Sequence, residues 1–132
     1  MNNKQAGTEF EREFCEILAI DGFWSHFMGG NRNGQPADII AVRNGRAYLI
    51  DAKDCQNDRF VLSRIEDNQH MAMRCWEICG NNQGLFALKT SKGVYMLTYG
   101  MVQVLEMADI KSLNMKSIEL YSITYDVWRL NA

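Results

Sequence analysis

No stretch of this chain approaches the roughly 18 consecutive apolar residues that a membrane-spanning helix needs. The opening residues Met1, Asn2, Asn3, Lys4 and Gln5 are polar rather than leader-like. The expectation is a protein without a membrane segment, intracellular or cytoplasmic: nucleoid-associated in a bacterium, in the host cytoplasm for a virus. Cysteine is scarce: Cys15, Cys55, Cys75 and Cys79 are too few to imply a disulfide scaffold, and free thiols in a reducing compartment are the simpler reading. Cys75 and Cys79 stand one helical turn apart, but without two further ligands at finger-like spacing they read as buried thiols rather than a zinc site. Internal repeats and low-complexity segments are missing too.

Strong net charge is also absent. The formal value of −2 gives nucleic-acid binding no support as a total. Its distribution is uneven, however: residues 1–28 hold two basic and five acidic groups, whereas residues 29–64 hold six basic and four acidic. Two of those four acids, Asp38 and Asp51, would be neutralised by a bound cation, leaving a more positive face toward a phosphate backbone.

What remains is an ordinary globular composition. Of 132 residues, 47% are hydrophobic and 23% charged, enough apolar mass for one core and one domain over 1–132, since two cores would leave each half marginal. Phe10, Phe14, Ile17 and Leu18 recur at helical spacing, with Glu9, Arg12, Glu13 and Glu16 on the solvated side. Thr8 is the expected N-cap, and Asp21-Gly22 the stop. Glu11 lies at the edge of the apolar stripe, from which its carboxylate can reach inward.

A glycine-bearing loop is expected over 27–35, then an apolar run over 37–42, the turn Asn44-Gly45 and a returning strand over 47–52. Both strands are apolar on both faces, which places the hairpin within a covered sheet. Ser63 with Glu66 matches a capping box, predicting a helix to about Cys79 that ends near Gly80-Asn81. Strands are expected over 85–89, 94–98 and 102–105, with turns at Ser91-Lys92-Gly93 and around Gly100. A short helix over 107–113 and a strand over 118–123 follow. The order gives an α/β or α+β fold, a central mixed sheet flanked by helices.

The hairpin carries the chemistry. A two-residue turn at Asn44-Gly45 places Asp38 directly across from Asp51 with both side chains on one face, β-carbons roughly 4.5–5.5 Å apart. Two carboxylates that close repel unless a proton or cation intervenes. Lys53, two positions beyond Asp51, points to the same face. Hard oxygen donors with room for water suit Mg²⁺, which can polarise a phosphate and orient a water. His70 and His26 are not needed for this chemistry, because the metal and Lys53 already offer routes to an activated water.

The pattern Gly7-x-x-x-Glu11-Arg12-Glu13, Pro36-Ala37-Asp38 and Asp51-Ala52-Lys53 resembles the PD-(D/E)XK nuclease superfamily, and within it the Holliday junction resolvases of archaeal and RecU type. Residues 58–65 and Gln69 resemble the RecU-type segment that follows the lysine, and residues 85–98 the subsequent hairpin. The resemblance implies a restriction-endonuclease-like sheet and a Mg²⁺-dependent DNA endonuclease, with Mn²⁺ substituting, that leaves a 5′-phosphate and a 3′-hydroxyl. It implies catalytic roles for Glu11, Asp38, Asp51, Lys53 and Gln69, and metal binding by Glu11, Asp38, Asp51 and the Ala52 carbonyl. Lys4, Arg32, Arg59 and Arg64 flank this centre as candidate DNA contacts. A four-way junction has two-fold symmetry, so paired cuts imply a homodimer. Two rival readings stand beside the resolvase: a restriction-like, repair or replication nuclease acting on duplex, nicked or flap DNA, and a catalytically inactive DNA-binding module.

Overall fold

A computed structural model of the chain describes residues 3–28 and 37–132, with side chains from Gly7 onward. Helix α1, Asn3–Ile20, forms because Phe10, Phe14 and Leu18 recur every four residues; all three are buried. It begins five residues before the expected Thr8 cap, and Thr8 lies inside it. Ile17, expected in the apolar stripe, is 38% exposed, since a spacing of three from Phe14 turns it off the buried line. Gly22, at φ +91°, ends the helix in the left-handed region open to glycine.

Strand β1, Trp24–Phe27, is not among the expected strands and meets the expected loop only at Phe27. Its four residues alternate between exposed and half-buried, a pattern too short and too polar to stand out in the sequence. Strands β2, Ile39–Arg43, and β3, Arg46–Asp54, form the predicted hairpin. Asn44 at φ +54° and Gly45 at φ +75° give the turn its two left-handed positions, and the register runs from Arg43 opposite Arg46 to Ile39 opposite Ile50.

Beyond β3, a 3₁₀ turn at Gln56–Asp58, the short strand β4, Phe60–Val61, and a second 3₁₀ turn at Leu62–Arg64 precede α2, Asp67–Ile78. The capping box is Glu66 with Gln69, not Ser63 with Glu66. The same i, i+3 spacing occurs twice in succession, and Ser63 is taken up by the 3₁₀ turn. Strands β5, Gly84–Thr90, and β6, Gly93–Thr98, form the expected second hairpin.

The C-terminal third differs from expectation. Residues 102–105 belong to helix α3, Tyr99–Met107, capped by Thr98 Oγ1 accepting from the Met101 N–H at 3.1 Å. Tyr99, Val102 and Leu105 are buried at spacings of three, and Gly100 lies inside the first helical turn. Strand β7, Ser112–Leu113, helix α4, Met115–Tyr121, strand β8, Ile123–Thr124, and helix α5, Tyr125–Asn131, complete the chain. Asn114 and Thr124 cap the two last helices with their side chains. The expected helix over 107–113 and strand over 118–123 therefore fall largely in other classes, because short apolar runs do not separate helix from strand.

The main sheet has the order β1-β2-β3-β5-β6-β8, and β4 pairs with β7 outside it. Strand β3 is central, antiparallel to β2 and parallel to β5, with α2 in the crossover between the parallel pair. One face carries Ile39, Ile50, Ala52, Leu85 and Ala87 against Phe10, Phe14 and Leu18 of α1 and Tyr125 and Trp128 of α5. The other carries Leu49, Phe86, Leu88 and Leu97 against Met73 of α2, Tyr99, Val102 and Leu105 of α3 and Ile118 of α4. Cys75 and Cys79 are exposed free thiols, contrary to the buried reading; they lie on the outer side of α2, whose Met73 takes the inward position.

Gly84, where β5 passes under α2, is required by close approach: a Cβ there would overlap Met73 Sδ and stand 3.3 Å from Met73 Cβ and Cγ. Gly84→Ala is expected to cost about 1–3 kcal/mol through overpacking, read as a lower urea midpoint with an unchanged denaturant slope.

Candidate functional site

The β2–β3 pairing ends at Ile39 opposite Ile50, so Asp38, expected directly across from Asp51, lies just beyond the paired register. Its main chain is bent: the N–H donates to Ile50 O at 3.2 Å, while the carbonyl accepts from Met28 N at 2.7 Å on the side away from β3. The Ala52 N–H, next along β3, is instead taken by the carboxylate, with Asp38 Oδ2 accepting at 2.8 Å. A side chain thus stands in for a backbone acceptor. Main-chain N–H and C=O groups of one strand residue point to the same side, so the Ala52 carbonyl also faces the gap that β2 has left.

Asp51 is 1% exposed, on the only strand of the main sheet with β2 on one side and β5 on the other. Alternation puts Asp51 and Lys53 on the face of Leu49, beneath α2. Lys53 Nζ lies 3.0 Å from Asp51 Oδ2, yet that oxygen has no hydrogen-bond partner. The ammonium offsets charge at short range without pointing a hydrogen bond at that oxygen. A buried carboxylate oxygen with a cation beside it and no hydrogen bond remains available as a ligand.

Gln69, in the first turn of α2, fixes the lysine from above. Its Oε1 accepts from the Glu66 N–H at 3.0 Å, closing the capping box, and from Lys53 Nζ at 3.4 Å. Lys53 Nζ also donates to Arg64 O at 3.5 Å. The ammonium is therefore gathered by one carboxylate, one amide and one main-chain carbonyl. Gln69 thus reaches the centre through its hydrogen bond to Lys53.

Glu11 comes from α1, which covers the opposite face of the sheet. It nevertheless lies within electrostatic range of the centre. Half burial and then the negative charge of Asp51 raise its pKa, while Lys53 and Arg12 oppose the rise. Asp38 responds more strongly: burial, a hydrogen bond to Asp51 and the charges of Asp51 and Glu11 push it up to about 9, with the Ala52 N–H acting the other way. Burial and the neighbouring carboxylates thus favour the protonated form of Asp38.

These residues suit a hard divalent cation. Asp51 Oδ2 is buried and, among the described residues, accepts no hydrogen bond, burial and then the neighbouring carboxylates disfavour the charged form of Asp38, and the donor set is oxygen only. Among the described residues no group of three or more His, Cys, Asp or Glu side chains is gathered tightly enough to hold a metal by itself. Two carboxylates, the Ala52 carbonyl, water and substrate are the donors that the site offers.

Of the candidate DNA contacts, Arg32 and the Lys4 side chain lie outside the described residues. Arg59 and Arg64 are exposed beside the centre, Arg59 donating to Ser112 Oγ and Arg64 to Asp54 O. His70 binds Tyr99 through Nδ1 at 3.1 Å and faces Glu106 through Nε2 at 3.4 Å, joining α2 to α3. The feature that the sequence reading missed is the Asp38 bond to the Ala52 N–H. Pro36 before Ala37-Asp38, with its missing N–H, was the available signal that regular pairing would not extend far in that direction.

Among the described residues the chain forms a six-stranded mixed sheet covered by helices. No protein-family model matches its sequence, and no curated protein matches it either. Among solved structures, it resembles Hjc, a Holliday junction resolvase from the archaeal hyperthermophile Archaeoglobus fulgidus, with a TM-score of 0.71 and 18% identity. The match covers 94% of this chain and 95% of that one.

The raised Asp38 pKa has a thermodynamic consequence. Between 3.8 and about 9 the folded state holds a proton that the unfolded state has released. The contribution to stability is therefore full in acid and is lost as pH rises through the folded value. Thermal unfolding in EDTA from about pH 5 to about pH 9 should show wild type losing stability relative to Asp38→Asn. Mg²⁺ should reduce that loss.

Proposed function

We propose that this chain is a metal-dependent DNA endonuclease of the PD-(D/E)XK type, acting on branched four-way junctions as a resolvase. The carrying observation is the local grouping of Asp38, Asp51 and Lys53. A carboxylate pair straddles an interrupted strand ladder, and one of its buried oxygens lies without a hydrogen bond 3.0 Å from an ammonium. The Hjc-like fold agrees with this reading.

In the proposed mechanism, Asp38, Asp51 and the Ala52 carbonyl would hold Mg²⁺ or Mn²⁺, with Glu11 of α1 as a further oxygen donor nearby. When bound, such a cation would supply polarisation of the scissile phosphate and offset its charge. Asp38, whose charged form is disfavoured by burial and by neighbouring carboxylates, would ionise more readily beside a positive charge. Lys53, held by Gln69 Oε1 and Arg64 O, orients the attacking water and offsets negative charge as the phosphate becomes five-coordinate. Burial under α2 keeps bulk water from screening these charges. In-line hydrolysis then leaves a 5′-phosphate and a 3′-hydroxyl.

A junction presents two equivalent strands for cleavage, and each chain offers one such centre, so a homodimer is part of the proposal.

Labelled junction, duplex and flap DNAs of matched sequence provide the test. The wild type should cut with Mg²⁺ or Mn²⁺, prefer the junction, and stop in EDTA. Asp51→Asn should reduce the cleavage rate by about 10²-fold or more. Full Mg²⁺-dependent cleavage by that variant would overturn the assignment, while equal cutting of all three DNAs would support a duplex or flap nuclease in place of a resolvase.

A further inference from the structure

The chain leaves the catalytic strand at Asp54 and passes through two 3₁₀ turns, and between them it builds a cleft of about 280 Å³ lined by Asp54, Gln56, Arg59, Val61 and Arg64. Two guanidiniums face one carboxylate there. Among the described residues neither arginine takes part in an ion pair. Asp58, the acid nearest Arg59 in sequence, is engaged elsewhere: its oxygens accept from Ser91 N at 2.7 Å and Ser91 Oγ at 2.5 Å. Asp54 is thus the one carboxylate in the cleft lining.

The donors are largely unspent. Arg59 Nη2 donates to Ser112 Oγ at 2.9 Å and Arg64 Nη1 to Asp54 O at 3.2 Å, while each guanidinium carries five N–H donors. The Arg64 plane lies over the Phe60 ring, 5.9 Å from its centroid, which restrains the side chain and lowers the ordering cost of binding. Two restrained, exposed cations with free donors form an anion site, and the planar fork suits phosphate better than a point charge would.

Position then selects the anion. Arg64 faces both ways: its carbonyl accepts from Lys53 Nζ at 3.5 Å, and its guanidinium lines the cleft. A strand advances about 3.3 Å per residue, so the cleft begins immediately beyond Lys53 on the path from Asp51 to Asp54. We infer that this cleft binds a backbone phosphate of the DNA strand adjacent to the phosphate being cut, with Arg59 and Arg64 as its donors. This rests on the nuclease reading and deepens it. Because one residue touches both sites, occupancy of the cleft also steadies the lysine.

Fluorescence anisotropy of a labelled four-way junction in EDTA, across a series of salt concentrations, tests this without turnover. Arg59→Gln and Arg64→Gln should each weaken binding several-fold and reduce the slope of log K against log salt by about 1. Arg64→Lys should restore the slope but not the full affinity, since it keeps the charge and loses the fork. Unchanged affinity and slope in both glutamine variants, with the wild type still cutting DNA, would overturn the cleft assignment alone. Reduced slopes together with full cleavage by Asp51→Asn would support the cleft and overturn the proposed centre. A wild type that neither binds nor cuts DNA would overturn both.

Discussion

Everything at the centre depends on one substitution of hydrogen-bonding partners. The Ala52 N–H lies within a sheet and needs an acceptor, and the acceptor is a carboxylate rather than a carbonyl. That exchange holds Asp38 against β3 and fixes its separation from Asp51. It also opens the sheet where the Ala52 carbonyl emerges. The cost is electrostatic, since two carboxylates share a buried place and Asp38 keeps its proton well above the ordinary range. A site that is destabilised when empty favours whatever brings positive charge to it.

The two layers of the fold divide this task. α1 supplies Phe10, Phe14 and Leu18 to one core and brings Glu11 to the edge of the centre. α2 closes the other face, where its first turn supplies Gln69. Asp51 and Lys53 are held in the sheet by pairing with Phe86 and Leu88 of β5, past the point where the β2 pairing ends at Ile50, while the residues that follow Asp54 run through turns.

The hairpin and its register were legible in the sequence because Asn44-Gly45 specifies its turn through local backbone preference alone, and every pair follows from it by counting. The apolar period of α1 was legible for a similar reason. The capping of α2 by Glu66 was hidden by an equally spaced competitor at Ser63, which only the intervening 3₁₀ turn resolves. Residues after Gly100 were hardest to read: Tyr99, Val102 and Leu105 are helical in spacing, but the run between them is apolar enough for a strand. Asp38 and Asp51 could be placed together from sequence. The bent backbone at Asp38, the grip of Gln69 on Lys53 and the Arg59–Arg64 cleft depend on tertiary contacts that no local pattern encodes.

The shared oxygen of Gln69 has a mechanical consequence. The same atom that completes the start of α2 accepts from the Lys53 ammonium, so the end of the helix and the lysine are tied together. Fraying of a single turn, the cheapest opening event available to a helix, would also release Lys53 from its amide. Order at that turn therefore acts as an interlock, tying competence of the centre to local folding of the helix above it.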